Sequence, residues 1–230
     1  GSGSPQAQAQ LSPCVAECRF AEPAGLPACM TAASDSPPLH WTRAIFSRHM
    51  LICVFTGFAS GLPLYFLLNL VPAWLRTEGV DLKAIGLFAL IQLPYTWKFV
   101  WSPVLDRFRL PWLGRRRGWM AATQLALVAT LAGFALFNPA LDLPQIAALA
   151  ACVAFCSASQ DIVLDAYRRE LLTDAELGLG NSIHINAYRL ASLIPGSLSL
   201  ILADYLPWST VFGITALFML PGLLMTLVVS

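Results

Sequence analysis

Residues 51–75, LICVFTGFASGLPLYFLLNLVPAWL, run without a single charged side chain. An α-helix rises about 1.5 Å per residue, so about 20 apolar residues cross the roughly 30 Å hydrocarbon core of a bilayer. The stretch therefore predicts a membrane-spanning helix over 51–75. Working outward from it, five more stretches meet the same requirement: 85–105, 119–137, 143–164, 183–202 and 211–229. Six such spans predict an all-α polytopic membrane domain over 51–230. Residues 41–50, WTRAIFSRHM, suit a short interfacial segment, with Trp41, Ile45 and Phe46 toward lipid and Arg43 and Arg48 at the headgroups. Residues 1–40 mix Gly, Ser, Pro, Ala and Gln with scattered hydrophobics. They read as a flexible head opening on the linker-like GSGSP.

Composition agrees with a lipid surround. Hydrophobic residues make up 57% of the 230, and charged residues only 12%. Mean hydropathy is +0.65. A soluble domain carries about 25% charged residues, so the chain has too few to clothe a water-facing surface. A net charge of +1 gives no global attraction to nucleic acid. Cys53, Cys152 and Cys156 fall in apolar runs and read as small packing residues. Cys14 and Cys18 lie in the head with no histidine nearby, so no metal site is expected.

Several spans hold prolines, among them Pro63, Pro72, Pro94, Pro103, Pro195 and Pro221. In a bundle these produce kinks rather than ends, because neighbouring helices satisfy the freed carbonyls. Gly57 and Gly61, four apart in GFASG, predict close approach of a second helix.

The loops divide the positive charge. With six crossings, Arg43, Arg48, Arg107, Arg109, Arg115, Arg116, Arg117, Arg168 and Arg169 fall on one side, against Arg76 and Lys83 on the other. The positive-inside rule then puts both ends of the chain in the cytoplasm. It also explains GRRRGW without invoking a nucleic acid.

Ionised groups at membrane depth cost about 2.5–3.5 kcal/mol each on insertion scales, so those present form the functional shortlist. Lys98 sits in LPYTWKFVW, almost two turns before Asp106. It either snorkels or faces a central cavity, where it would pair with a carboxylate, bind an anionic solute, or both. Tyr95, Trp97 and Trp101 beside it suit sugar stacking or an interfacial anchor. In SASQDIVLDAYRRE, Asp161 and Asp165 share a helix face next to Gln160, and Arg168 and Arg169 follow. Two carboxylates held close in a partly dry place repel each other's charge, and such a pair can load and unload a proton. The alternative is an inert ion-pair lattice joining Asp165 to Arg168 or Arg169. In GNSIHINAYRLAS, Asn181, His184 and Tyr188 form a polar stripe, with Arg189 one step round. Arg189 is expected to seek Asp161 or Asp165. His184 is of the type that titrates near neutrality, although a plain hydrogen-bonding role serves equally. Asp106 and the arginine run after it are expected to clamp two helices at the cytoplasmic face.

This set of features resembles the major facilitator superfamily. The loop between its second and third spans carries an acid, a base, a glycine and further bases, as do Asp106, Arg107, Gly114, Arg115, Arg116 and Arg117 here. Ser102 stands where glycine is usual, and the loop is longer. Within the superfamily, FTGFASGLPLYFL, LRTEGVDLKAIGLFALIQLPYTWKFVWSPVLDR and SASQDIVLDAYRRELL are similar to the AmpG family of bacterial muropeptide permeases. The eukaryotic acetyl-CoA transporters share part of the pattern. A non-transporting scaffold is the third alternative, and the residues do not point to an enzyme.

The resemblance, covering residues 44–230, implies import of GlcNAc-1,6-anhydro-N-acetylmuramic acid, with or without peptide, across the bacterial inner membrane and driven by protons. No other cofactor is implied. Asp161 or Asp165 would carry the proton. Lys98, Arg189, Gln92, Tyr95, Gln160, Asn186 and Tyr188 would meet the solute. Asp106, Arg107, Gly114, Arg115, Arg116 and Arg117 would form the cytoplasmic gate, and Asn181, His184, Arg168 and Arg169 a polar network. Superfamily members have two six-span halves, and this chain ends in LLMTLVVS within an apolar run. It is therefore expected to be the amino-terminal half, with the second half as its partner.

Overall fold

A computed structural model describes residues 47–107 and 115–228, apart from the side chains of Leu87, Ala89, Asp106 and Arg115. The head, Trp41, Arg43, Ile45, Phe46, Cys14, Cys18, Arg109 and Gly114 lie outside the described residues. All regular structure among the described residues is helical. Five helices there are long and apolar enough to cross a membrane: α1 (Arg48–Thr77), α5 (Arg116–Leu136), α6 (Leu143–Leu171), α7 (Asp174–Ala203) and α8 (Trp208–Val228). Between α1 and α5 lie three short helices, α2 (Leu82–Leu87), α3 (Leu93–Trp97) and α4 (Ser102–Arg107).

The stretch expected to form one span over 85–105 is thus segmented. A 3₁₀ turn at Phe88–Gln92 separates α2 from α3, and another at Lys98–Val100 precedes α4. Pro94 and Pro103 each stand second in their short helices. A proline lacks the N–H that would continue the preceding turn, and its ring clashes with the carbonyl four residues back. The spacing alone does not decide this, since α1 holds Pro63 and Pro72 nine residues apart and stays continuous; here each proline follows a 3₁₀ turn, and the helix breaks there.

Elsewhere the proline-bearing helices carry on. α1 contains Pro63 and widens into a π-turn at Phe66–Leu70. α7 does the same at Ile194–Leu198, around Pro195. α1 opens on Ser47, whose hydroxyl accepts the Met50 N–H at 3.3 Å. α7 opens nine residues before the expected 183, on a Thr173–Glu176 capping box. α6 runs seven residues past the expected 164, so the polar stretch around Asp161 and Asp165 is helical throughout.

α1 is the hub, packing on α7, α6 and α8, while α5 packs on α6 and α8, and the segmented stretch lies along α6. The α1–α7 seam is the closest. A Cβ at Gly57 would stand 2.5 Å from the His184 carbonyl oxygen, and one at Gly61 would strike the backbone of Tyr188. The glycine pair therefore seats α7 directly on α1, as its spacing implied. Buried hydroxyl bonds join the other seams: Ser199 to Thr215 at 2.8 Å, and Thr226 to Gln124 at 2.9 Å.

The apolar core gathers at the arginine-poor end. Phe66, Trp74, Phe134 and Phe212 interlock edge to face, with ring centroids 4.8 Å apart for Trp74–Phe212 and 5.1 Å for Phe66–Phe134. At the arginine-rich end Arg116 bonds Glu170 at 3.1 Å, and His49 approaches Glu176 at 3.6 Å. These contacts bring the starts of α1, α5 and α7 and the end of α6 together, with the polar centre between the two ends.

Candidate functional site: a carboxylate pair between two cavities

Helical geometry places Asp161, Asp165 and Arg168 on one face of α6, at i, i+4 and i+7. Ser60 of α1, 3% exposed, donates its hydroxyl to Asp161 Oδ1. Ser60 immediately precedes Gly61, so the close α1–α7 seam also fixes this donor. One turn on, Arg168 Nη2 donates to Asp165 Oδ1 at 2.8 Å. Arg168 is largely withdrawn from solvent, at 14% side-chain exposure, while Asp165 is half open at 51%. One carboxylate is thus held by a neutral hydroxyl, and the other by a guanidinium.

A cavity of about 400 Å³ opens beside this face, with α1 and α7 supplying its other walls. Ser60, Tyr65, Asp161, Asp165, Arg168, His184, Tyr188 and Arg189 line it. Tyr65 and Tyr188 meet edge to face with centroids 5.7 Å apart, presenting aromatic surface next to the acids. Such a wall suits a sugar ring, whose apolar C–H face stacks on an aromatic while its hydroxyls reach polar neighbours. His184 Nδ1 and Arg168 Nε and Nη1 are buried here without hydrogen-bond partners among the described residues.

A second cleft of about 350 Å³ lies on the other side of Asp165, between α6 and the segmented stretch. Lys98, Phe99, Ser102, Ile162, Asp165, Ala166 and Arg169 line it. Asp165 therefore borders both spaces.

The structure brings together Asp161, Asp165, Arg168, His184, Tyr188 and Arg189 in the first cavity, and Lys98 and Arg169 in the second. Arg189 does not pair with an acid as expected: among the described residues no carboxylate lies within 4.0 Å of it. Arg168, on the same helix as Asp165, takes that partner instead. Gln92 sits in the first 3₁₀ turn, half-buried. Tyr95 and Gln160 are turned inward, with the Tyr95 hydroxyl and both amide atoms of Gln160 buried and unpartnered among the described residues. Asn186 is exposed and donates to the Ser182 carbonyl at 2.8 Å, and Asn181 is exposed as well. Neither lines either cavity.

The expected gate is only partly described. The side chains of Asp106 and Arg115, and all of Gly114, lie outside the described residues. Arg107 is exposed beside Phe99, Ser102 and Pro103, and Arg117 turns toward Ile52, Thr56 and Tyr167. Arg116 reaches Glu170 of α6.

Ser60 and Tyr65 were not singled out from the sequence. Ser60 sits inside GFASG, where small residues already had a packing role. Its position one residue before a helix-contacting glycine is the signal that could have marked it.

The Major Facilitator Superfamily model matches residues 53–230. A Haemophilus influenzae protein described only as uncharacterized is 56% identical over 183 residues, covering 80% of this chain and 43% of its own length. An Escherichia coli K12 protein named anhydromuropeptide permease is 44% identical over 177 residues, covering 76% of this chain and 36% of its own length. A Rickettsia bellii protein named putative transporter AmpG 1 is 31% identical over 186 residues, covering 79% and 45%. The chain spans less than half the length of each of these relatives.

Proposed function

The chain belongs to the major facilitator superfamily, a family of transporters rather than enzymes, and from that premise we propose that it forms the amino-terminal half of a proton-coupled importer of anhydromuropeptides. In this reading the segmented stretch α2–α4 completes a six-span half. It crosses the membrane as a discontinuous helix. Irregular backbone is tolerated at membrane depth where protein buries it or where it lines a water-filled cavity. The cleft beside Lys98 and Arg169 supplies such a setting. The arginine-rich end faces the cytoplasm, which puts both ends of this chain on the cytoplasmic side of the bacterial inner membrane. A carboxyl-terminal half packs across the polar face and closes the path.

The observation that carries the proposal is the asymmetric carboxylate pair. Asp161 is held by the Ser60 hydroxyl, and Asp165 by Arg168, at the wall of a cavity with aromatic and cationic sides. Asp165 is committed to an ion pair. Asp161 has a partner that serves it in either protonation state, because a serine hydroxyl both donates and accepts. A proton taken up at Asp161 removes one negative charge from the cavity and changes which of the two oxygens donates. Such a change biases one arrangement of α1 and α7 against α6, as alternating access requires. The solute class follows from the wall chemistry together with the similarity to the Escherichia coli permease.

The test uses vesicles containing the complete carrier. GlcNAc-anhydro-N-acetylmuramic acid is expected to accumulate when a proton gradient is imposed, acid on the periplasmic side, and to equilibrate only when the gradient is collapsed. Equal accumulation with and without the gradient would remove proton coupling. No uptake under either condition would remove the solute.

A further inference from the structure

Asp165 is the wall between two spaces, and their contents differ in charge. The first cavity holds two acids, Asp161 and Asp165, with two guanidinium groups, Arg168 and Arg189. The second holds Lys98 and Arg169, with Asp165 as the one acid among its described lining residues. That acid is already bonded to Arg168 on its other side. Among the described residues, neither Lys98 nor Arg169 has a carboxylate within 4.0 Å. Among its described lining residues the second cleft therefore carries surplus positive charge whatever the protonation state of Asp161.

The placement of these two cations is built into the fold. Ile162, Asp165, Ala166 and Arg169 stand at i, i+3, i+4 and i+7, the stripe of α6 that faces the segmented stretch. Lys98 opens the 3₁₀ turn Lys98–Val100, where the backbone departs from the helix between Pro94 and Pro103. Trp101 Nε1 bonds Ser159 Oγ at 3.2 Å and pins the turn to α6. The start of this turn, Lys98, thereby stands next to the α6 stripe. Phe99 and Ile162 give the cleft apolar sides, and Ser102 adds a hydroxyl. Arg169 is exposed and Lys98 half-buried, so two cations without a described carboxylate of their own face one cleft, and an anion placed between them would gain charge-assisted bonds from both.

We propose that this cleft is a distinct anion subsite, in which Lys98 and Arg169 receive a carboxylate of the solute while the aromatic cavity across Asp165 receives its sugar. The assignment rests on the transport reading above and adds a division of labour to it. Tyr65 and Tyr188 recognise the ring, and Lys98 and Arg169 read the acidic substituent. Asp165, clamped from one side, screens one region from the other. The charge that meets the cations is the lactyl carboxylate in the peptide-free disaccharide, and a carboxylate of the peptide where the lactyl group is amidated.

The test compares two probes on the complete carrier: GlcNAc-anhydro-N-acetylmuramic acid, and the same disaccharide with its lactyl carboxylate converted to a neutral amide. The wild type is expected to bind the acid roughly tenfold or more tighter than the amide, the size of a hydrogen-bonded contact between charged groups. In Lys98→Gln and Arg169→Gln that preference is expected to shrink toward unity. Because the readout is a ratio within each variant, a general loss of folded protein does not imitate it. A preference that survives both substitutions overturns the subsite. So does an equal weakening of acid and amide, which would mark the cations as structural. If the wild type binds neither probe, the failure belongs to the solute assignment of the transport reading and carries this subsite down with it.

Discussion

A single methyl group at Gly57 is a severe test of the α1–α7 seam. The added Cβ would stand 2.5 Å from the His184 carbonyl oxygen and 3.1 Å from Ala187 Cβ. A relaxed C–H···O contact needs about 3.3 Å, so α7 would have to retreat by about 0.8 Å. Overpacking of this kind costs about 1–3 kcal/mol. For a domain of this size each kcal/mol lowers the melting temperature by about 2–4 °C, so Gly57→Ala is expected to melt about 2–12 °C lower. Gly61 meets α7 one turn further along, against Tyr188. One retreat of α7 relieves both clashes, so the Gly57→Ala/Gly61→Ala double variant should cost less than the sum of the singles. The same retreat carries Tyr188 and Arg189 away from Asp161, and solute affinity should fall with stability. The assay is thermal unfolding of the purified complete carrier in detergent, alongside ligand binding. A Gly57→Ala protein that melts at the wild-type temperature would refute the reasoning, as would strict additivity of the two glycines.

Two further outcomes follow from the same geometry. Ser60→Ala removes the hydroxyl bonded to Asp161, a contact to a charged group worth about 1.5–3 kcal/mol. Initial rates of gradient-driven uptake should fall about tenfold or more with protein abundance unchanged, and wild-type rates would show that the bond is not used. Trp74→Ala opens the aromatic core between Phe134 and Phe212, at a cost of about 3–5 kcal/mol. Folded protein recovered from membranes should drop sharply, and normal recovery would contradict the placement of the core.

The legible part of this fold was the part set by hydrophobic length and small-residue spacing. α1, α5 and α8 lie close to their expected bounds because their polar ends coincide with their helix ends. The end of α6 and the start of α7 were hidden, because hydropathy falls wherever a helix carries polar groups toward a cavity. For α7 the signal was present in another form, since Thr173 and Glu176 spell a capping box that hydropathy does not register. The segmentation of 82–107 was visible as Pro94 and Pro103 but ambiguous. The same residue type is absorbed as a kink at Pro63 and interrupts the helix at Pro94.

Site residues divided along similar lines. The α6 ladder could be placed from spacing alone, because residues on one helix keep their register. Partners on different helices could not. Arg189 looked like the cation for the acids, yet the i, i+3 neighbour Arg168 reaches Asp165 without crossing between helices. Lys98 was expected near the carboxylates and does share a cleft with Asp165. It does not line the cavity that holds Asp161, and it stands where a 3₁₀ turn interrupts the helix.

The account depends on Asp161 as the group whose protonation drives the carrier, and one comparison addresses it most directly. The complete carrier with Asp161→Asn, which keeps the size and a hydrogen-bonding partner for Ser60, is measured for solute exchange at equilibrium and for accumulation against a gradient. Exchange retained with accumulation abolished is the expected result. Accumulation at the wild-type level in this variant would contradict the central claim.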